Sequence, residues 1–225
     1  MTTRAGLRAT IRAELNDGGV PQLWPDLQLN EWILHAIRDY GRHVPREASA
    51  SIASVANQAD YSLPADCQRV ARVEHPTGFF RVPDPLSAGD VLAQGPGAGG
   101  WGPGAVATQL AYEVWGSFGA MTLTLRPAPD DASSPIGVRY LATWSEPSAD
   151  SSALTTPSQD DHLLVWYVAE AALQWLSTDE SKRQRFERQR GVSTTAAAGQ
   201  YARDYRRELD RRARAATPRR LVVRE

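Results

Sequence analysis

Apolar positions near the start of the chain recur every three or four residues. Leu7, Ile11 and Leu15 lie on one stripe, the spacing of a helix with a single buried face. Thr2 or Thr3 offers a hydroxyl to cap it, and Asn16-Asp17-Gly18-Gly19 ends it, because glycine accepts the left-handed conformation common at helix ends. A second one-faced helix begins near Asp26, read as an N-cap preceded by Pro25. It carries Leu29, Ile33, Ala36, Ile37, Tyr40 and Val44 before Pro45 stops it.

From Ser49 the period shortens. Ile52 and Val55 alternate with small polar residues, Asn57-Gln58-Ala59-Asp60 reads as a turn, and Tyr61-Ser62-Leu63 resumes extended structure. Residues 68–74 predict a strand. Residues 111–115 and 120–126 flank Gly116-Ser117-Phe118-Gly119 as a hairpin. Between residues 136 and 144, Ile136, Val138, Tyr140 and Ala142 share one face of another strand. Residues 84–104, rich in Gly and Pro and without periodicity, read as a long loop. Helical spacing returns after Pro157, with Ser158 as N-cap and Asp160 and Asp161 in the first turn, where the helix dipole favours anions. Residues 163–176 are apolar on several sides, which places that helix in a core or a subunit contact. A charged stretch from Asp179 to Arg190 continues as helix to Gly191. A last helix runs from about Thr195 to Ala216 with Tyr201, Tyr205 and Leu209 four apart, and residues 219–224 read as extended.

The pattern predicts an α+β fold: a helical bundle formed by the N- and C-terminal helices, with an inserted antiparallel β-domain. The expected divisions are residues 1–48 and 151–217 for the bundle helices, 49–150 for the β-rich domain, and 218–225 for an extended tail. With 42% apolar residues and seven tryptophans, a chain of this length buries about 70% of its unfolded surface and needs no metal or disulfide staple. Cys67 is the single cysteine, which excludes an intrachain disulfide and a cysteine-based zinc site. Arg4, Arg8 and Arg12 interrupt the opening segment, and no apolar run approaches the roughly 18 residues of a membrane helix. The expectation is a soluble protein that stays where it is made and has no membrane partner.

Motifs for catalysis are weak. Trp24-Pro25-Asp26 matches three letters of a tyrosine-phosphatase acid loop, but Cys67-Gln68-Arg69-Val70 lacks the spacing and glycines of the matching phosphate loop. The glycines of residues 95–104 are followed by no Gly-Lys-Ser/Thr sequence. His35, His43, His75 and His162 are scattered, and the first two are too far apart on one helix for a zinc pair. There is no Gly-x-Ser-x-Gly nucleophile elbow. No catalytic, cofactor-binding or metal-binding residue is therefore assigned, and no cofactor is expected. A hydrolase with an unrecognised site is the weakest of three readings.

Charge changes the picture at the C-terminus. Residues 182–225 contain 14 basic and 5 acidic side chains, a balance of +9, against −10 for the rest of the chain. An acidic body with a basic tail predicts that the tail meets something negative. Arg206, Arg207, Arg211, Arg212, Arg214, Arg219, Arg220 and Arg224, with Leu221, Val222 and Val223 among them, are the candidate contacts. Arginine's planar fork suits DNA phosphates and acidic protein surfaces equally. A DNA-binding accessory protein is accordingly the second reading. Trp32, Trp166 and Trp175 are candidates for a subunit interface or the core.

Several segments, in order, resemble the head-to-tail adaptor (connector, or head-completion) family of tailed bacteriophages. They are the two opening helices at residues 7–15 and 24–33, and Tyr-Ser-Leu-Pro-Ala-Asp at residues 61–66. A strand follows at residues 69–73, then Leu123-Thr124-Leu125-Arg126-Pro127-Ala128-Pro129. A strand containing Tyr140 and an Asp-Asp-x-Leu helix start at residues 160–163 complete the series. The resemblance implies a non-enzymatic subunit of a ring, commonly twelve-fold, seated under the portal protein and joined to a tail or stopper protein. Packaged DNA would pass through the lumen. It further implies a virion location at the head–tail junction, assembly in the host cytoplasm, and a C-terminal segment that grips the portal or lines the DNA channel.

Overall fold

The computed structural model describes residues 2–19, 21–83 and 110–216, and shows an α+β protein of five helices and a seven-stranded sheet. The chain divides into two compact units: residues 1–45 with 144–225, and residues 46–143. The long loop expected at residues 84–104 and the extended segment expected at residues 219–224 lie outside the described residues.

The first unit holds α1 (Arg4–Glu14), α2 (Asp26–His43), α3 (Asp161–Leu176), α4 (Glu180–Arg190) and α5 (Thr194–Ala216). Their shared core contains the predicted stripes of α1 and α2, with Leu7, Ile11, Leu15, Leu29, Ile33, Ala36, Ile37 and Tyr40 all buried. Helix α3 packs against the other four, as its broad apolar surface requires. Trp24, fully buried between α1 and α2 in sequence, donates its Nε1–H to the Ala172 carbonyl at 3.1 Å and meets Phe186 edge-on. The Trp-Pro lead is thus a structural plug.

The ends of α1 and α2 are made differently from expectation. Thr3 does cap α1, accepting from the Gly6 N–H. Its stop, however, uses Asn16 in the left-handed region (φ 55°), whereas Gly18 and Gly19 have no positive φ. Asparagine tolerates that conformation, and the neighbouring Asp17 is buried, accepting from the Leu23 N–H and from Arg12. For α2 the N-cap position belongs to Pro25, with no side-chain cap bond. Asp26 is the first helical residue, paired with Arg8 and Arg12. Asp150 accepts from Arg4 and Arg8, and the backbone of residues 2–5 bonds to residues 150–154, so the N-terminus is tied to the segment preceding α3.

The second unit holds β1 (Arg46–Ile52), β2 (Asp60–Ser62), β3 (Cys67–Glu74), β4 (Phe80–Pro83), β5 (Ala111–Ser117), β6 (Ala120–Arg126) and β7 (Ile136–Ala142), in the order β1-β7-β3-β4-β5-β6-β2. The predicted hairpin is β5–β6, with Ser117 opposite Ala120 and Gly119 at φ 86° in the turn. Ile136, Val138, Tyr140 and Ala142 all face the core together with Tyr61, Leu63, Cys67, Val73, Tyr112, Leu123 and Leu125. One expectation fails: the sheet is mixed, because β4 and β5 pair in parallel. A parallel pair requires about a dozen residues or more between its strands, and β4 and β5 are separated in sequence by residues 84–110.

Candidate interaction surfaces

Helix α5 carries the described part of the basic tail. Its inner stripe places Ala198, Tyr205 and Leu209 in the core. Tyr205 stacks edge-on against Tyr167 at 5.4 Å and donates to Asp39 at 2.6 Å. Burial first, and then that bond, pushes its phenol well above the ordinary range. Tyr201 is pushed up to about 12, mainly by burial and then by its hydrogen bond to Glu14. These contacts fix α5 to α1, α2 and α3, so the tyrosine stripe serves packing.

The arginines divide into two groups. Arg207 pairs with Asp204 and Arg211 with Glu208, both one turn back on the helix. Arg212 is turned inward: its Nη2 lies 2.9 Å from the Asp160 carboxylate, which is 4% exposed and also accepts from the Tyr40 hydroxyl at 2.6 Å. Burial and that bond raise the Tyr40 phenol. Asp160, expected with Asp161 in the first turn of the helix, ends a 3-10 turn (Ser158–Asp160) at the N-cap position of α3 and is in addition a buried ionic anchor; Ser158, expected as the N-cap, is instead the first residue of that turn, after Pro157. Arg206 and Arg214 remain exposed. The described basic surface is therefore narrower than the arginine count implies, since internal pairing neutralises three of its members. Arg219, Arg220, Leu221, Val222, Val223 and Arg224 lie outside the described residues.

The three singled-out tryptophans are each half-buried and packed against the helical core. Trp32 and Trp175 meet edge-on at 6.3 Å, and the Lys182 ammonium sits 4.7 Å from the Trp175 ring. Trp166 contacts the His162 ring at 4.8 Å. Two helices, α2 and α3, thus present a joint aromatic surface that is partly in contact with water. A further exposed set escaped sequence reading: Phe79, Phe80 and Val82 in and beside β4, and Trp115 and Phe118 in the hairpin. Phe118 lies in the turn that the hairpin reading predicts, but nothing in the sequence marks Phe79, Phe80, Val82 or Trp115 as exposed.

Among the described residues, no group of three His, Cys, Asp or Glu side chains is placed to hold a metal ion, and no helix is long and apolar enough to cross a membrane. Cys67 is buried, and burial pushes its thiol up, away from the reactive thiolate.

A search of curated proteins returned no match. The model of the SU10 adaptor protein family, in contrast, matches residues 2–224, taking in the helices of both chain ends and the whole sheet between them. Members are phage structural proteins that work through contacts with other head and tail proteins; they belong to virions and are not known as enzymes. A chain with packed helical ends and half-buried surface aromatics fits that role, and it belongs to the SU10 adaptor protein family as a structural adaptor of bacteriophages.

Proposed function

We propose that copies of this chain associate side by side into a closed ring, commonly dodecameric in the family it resembles, that docks on the portal protein at the head–tail junction. On its other side the ring receives a tail or stopper protein, and packaged DNA passes through its lumen. In this reading the helices of the two chain ends form the bundle that makes the lateral contacts, with the β-rich unit as an insertion. The family match over nearly the whole chain carries the proposal.

The half-buried Trp32–Trp175 pair supports it. Aromatic side chains anchored in a core with one edge exposed are the residues that dominate protein contacts. A head-to-tail contact closes into a ring when its rotation divides the circle, and each copy then contributes two different patches. About 800 Å² per partner suffices for a stable contact of this kind.

The arginine tail is assigned to the portal. Arg207, Arg211 and Arg212 already have carboxylate partners, which leaves Arg206, Arg214 and the residues beyond Pro218 to make new pairs.

Sedimentation of the purified protein with and without its portal tests the reading. A discrete co-sedimenting complex of many adaptor copies per portal ring is expected, and it should weaken when residues 218–225 are deleted. An adaptor that sediments alone in the presence of portal would contradict it.

A further inference from the structure

We propose that the solvent face of β7, β3 and β4 is a second docking surface, which takes a carboxylate-bearing, apolar-flanked segment of a partner protein. Arg72 on β3 and Arg139 on β7 are direct cross-strand partners, and both are exposed. Like charges in that position repel and destabilise the sheet.

Glu74 lines the recess between them, but its Oε1 accepts from the Gly78 N–H and it forms no ion pair with either arginine. Arg139 makes no ion pair among the described residues, and Arg72 is held instead over the Phe80 ring, its guanidinium carbon 3.2 Å from the centroid. That stack fixes the cation without neutralising it. Arg46, on the neighbouring strand β1, has an acidic partner in Asp66, as Arg4, Arg8, Arg12 and Arg38 have in the helical unit.

Between the two arginines lies a recess of about 110 Å³, lined also by Ser49, Gly137, Glu74 and Phe80. Its shape and lining favour a protein over nucleic acid. A duplex backbone is a convex run of phosphates that needs a ridge of cations. A recess of this size, flanked by two arginines, has room for a single carboxylate side chain and not for a strand of phosphates. Phe80 and Val82, 48% and 40% exposed, give a partner apolar surface beside the charge. Arginine next to exposed aromatic residues is the composition of a protein–protein hot spot. A carboxylate seated there gains paired hydrogen bonds from a fork already held in place. This surface is separate from the ring contacts proposed above, and its failure would leave them untouched.

Fluorescence anisotropy of the full-length protein decides it. The probes are a labelled Ac-Leu-Glu-Phe-Glu-Leu-amide peptide, its Gln-for-Glu counterpart, and a short DNA duplex. The acidic peptide should bind and the Gln peptide should not. Arg72→Gln and Arg139→Gln should each lower affinity at least about tenfold, while Arg207→Gln, on the paired helix face, leaves it unchanged. Arg139→Lys, which keeps the charge without the fork, should fall between, and circular dichroism melts confirm that each variant is folded. Equal binding of both peptides, no binding of the acidic one, or indifference to the β-face substitutions would overturn the proposal. Loss of duplex binding alone in Arg72→Gln and Arg139→Gln would reassign the surface to nucleic acid.

Discussion

Replacing Asp160 by alanine probes the anchor on which the C-terminal helix depends. The carboxylate is 4% exposed, accepts from the Tyr40 hydroxyl at 2.6 Å and lies 2.9 Å from Arg212. Its removal leaves the Tyr40 hydroxyl in a buried site without its acceptor, and a hydrogen bond to a charged group contributes about 1.5–3 kcal/mol. Arg212 suffers less. Its side chain is 28% exposed, and its Nε lies 3.3 Å from Glu208, so losing the ion pair adds about 1 kcal/mol. The expected cost is about 3 kcal/mol, at the low end of the roughly 3–5 kcal/mol for breaking a fully buried pair. Asp160→Asn keeps an acceptor for Tyr40 and should cost only about 1–1.5 kcal/mol.

Because every described helix belongs to the same unit, urea unfolding followed by circular dichroism at 222 nm reports on it directly. A double-mutant cycle with Tyr40→Phe should return a coupling of at least about 1 kcal/mol. If Asp160→Ala costs under about 0.5 kcal/mol and adds to Tyr40→Phe without coupling, the carboxylate behaves as an ordinary solvated acid at a helix start. The anchor would then be refuted.

Other substitutions test other parts of the fold. Trp24→Ala removes a fully buried indole and its bond to Ala172, and should cost about 3–5 kcal/mol in the same assay. Trp175→Ala, at a half-buried site, should cost about 1–2 kcal/mol yet disrupt assembly, read as a loss of large species in sedimentation. Gly116 has φ 107°, and an added Cβ would lie 2.5 Å from the Ala120 carbonyl oxygen. Gly116→Ala should therefore cost at least about 2 kcal/mol. Gly119→Ala, with the same left-handed demand but open space around it, should cost only about 1 kcal/mol in thermal melts. Asp150, held by hydrogen bonds first from Arg8 and then from Arg4, is lowered to about 2. Its contribution is complete above the unfolded value near pH 4 and lost as pH falls towards 2. Asp150→Asn should flatten that part of the stability–pH curve.

Local pattern made much of the fold legible. The helix stripes of α1 and α2, the alternation of β7 and the glycine-flanked hairpin depend on neighbouring residues alone, and they stand where the spacing puts them. What stayed hidden depends on partners distant in sequence. Strand β4 is four residues long with a single inward side chain, Arg81, whose guanidinium is satisfied by the His75, Ala111 and Pro127 carbonyls. Nothing in Phe80-Arg81-Val82-Pro83 announces a buried cation, or a parallel neighbour beyond residue 110. The same holds for the tail. The arginine run predicts a charged surface, but only the fold shows Arg212 turned towards Asp160 and Arg207 and Arg211 neutralised along the helix. The surfaces proposed for interaction were half legible: Trp32 and Trp175 are conspicuous in the sequence, whereas the Arg72–Arg139 cross-strand pair exists only once β3 and β7 are in register.

Cryo-electron imaging of the head–tail junction in intact particles bears most directly on lateral association of the helical unit. A continuous collar of this chain against the portal, with Trp32 and Trp175 buried between adjacent copies, is the predicted density. A lone copy at the vertex, or neighbouring copies whose tryptophan surfaces both face solvent, would contradict the account.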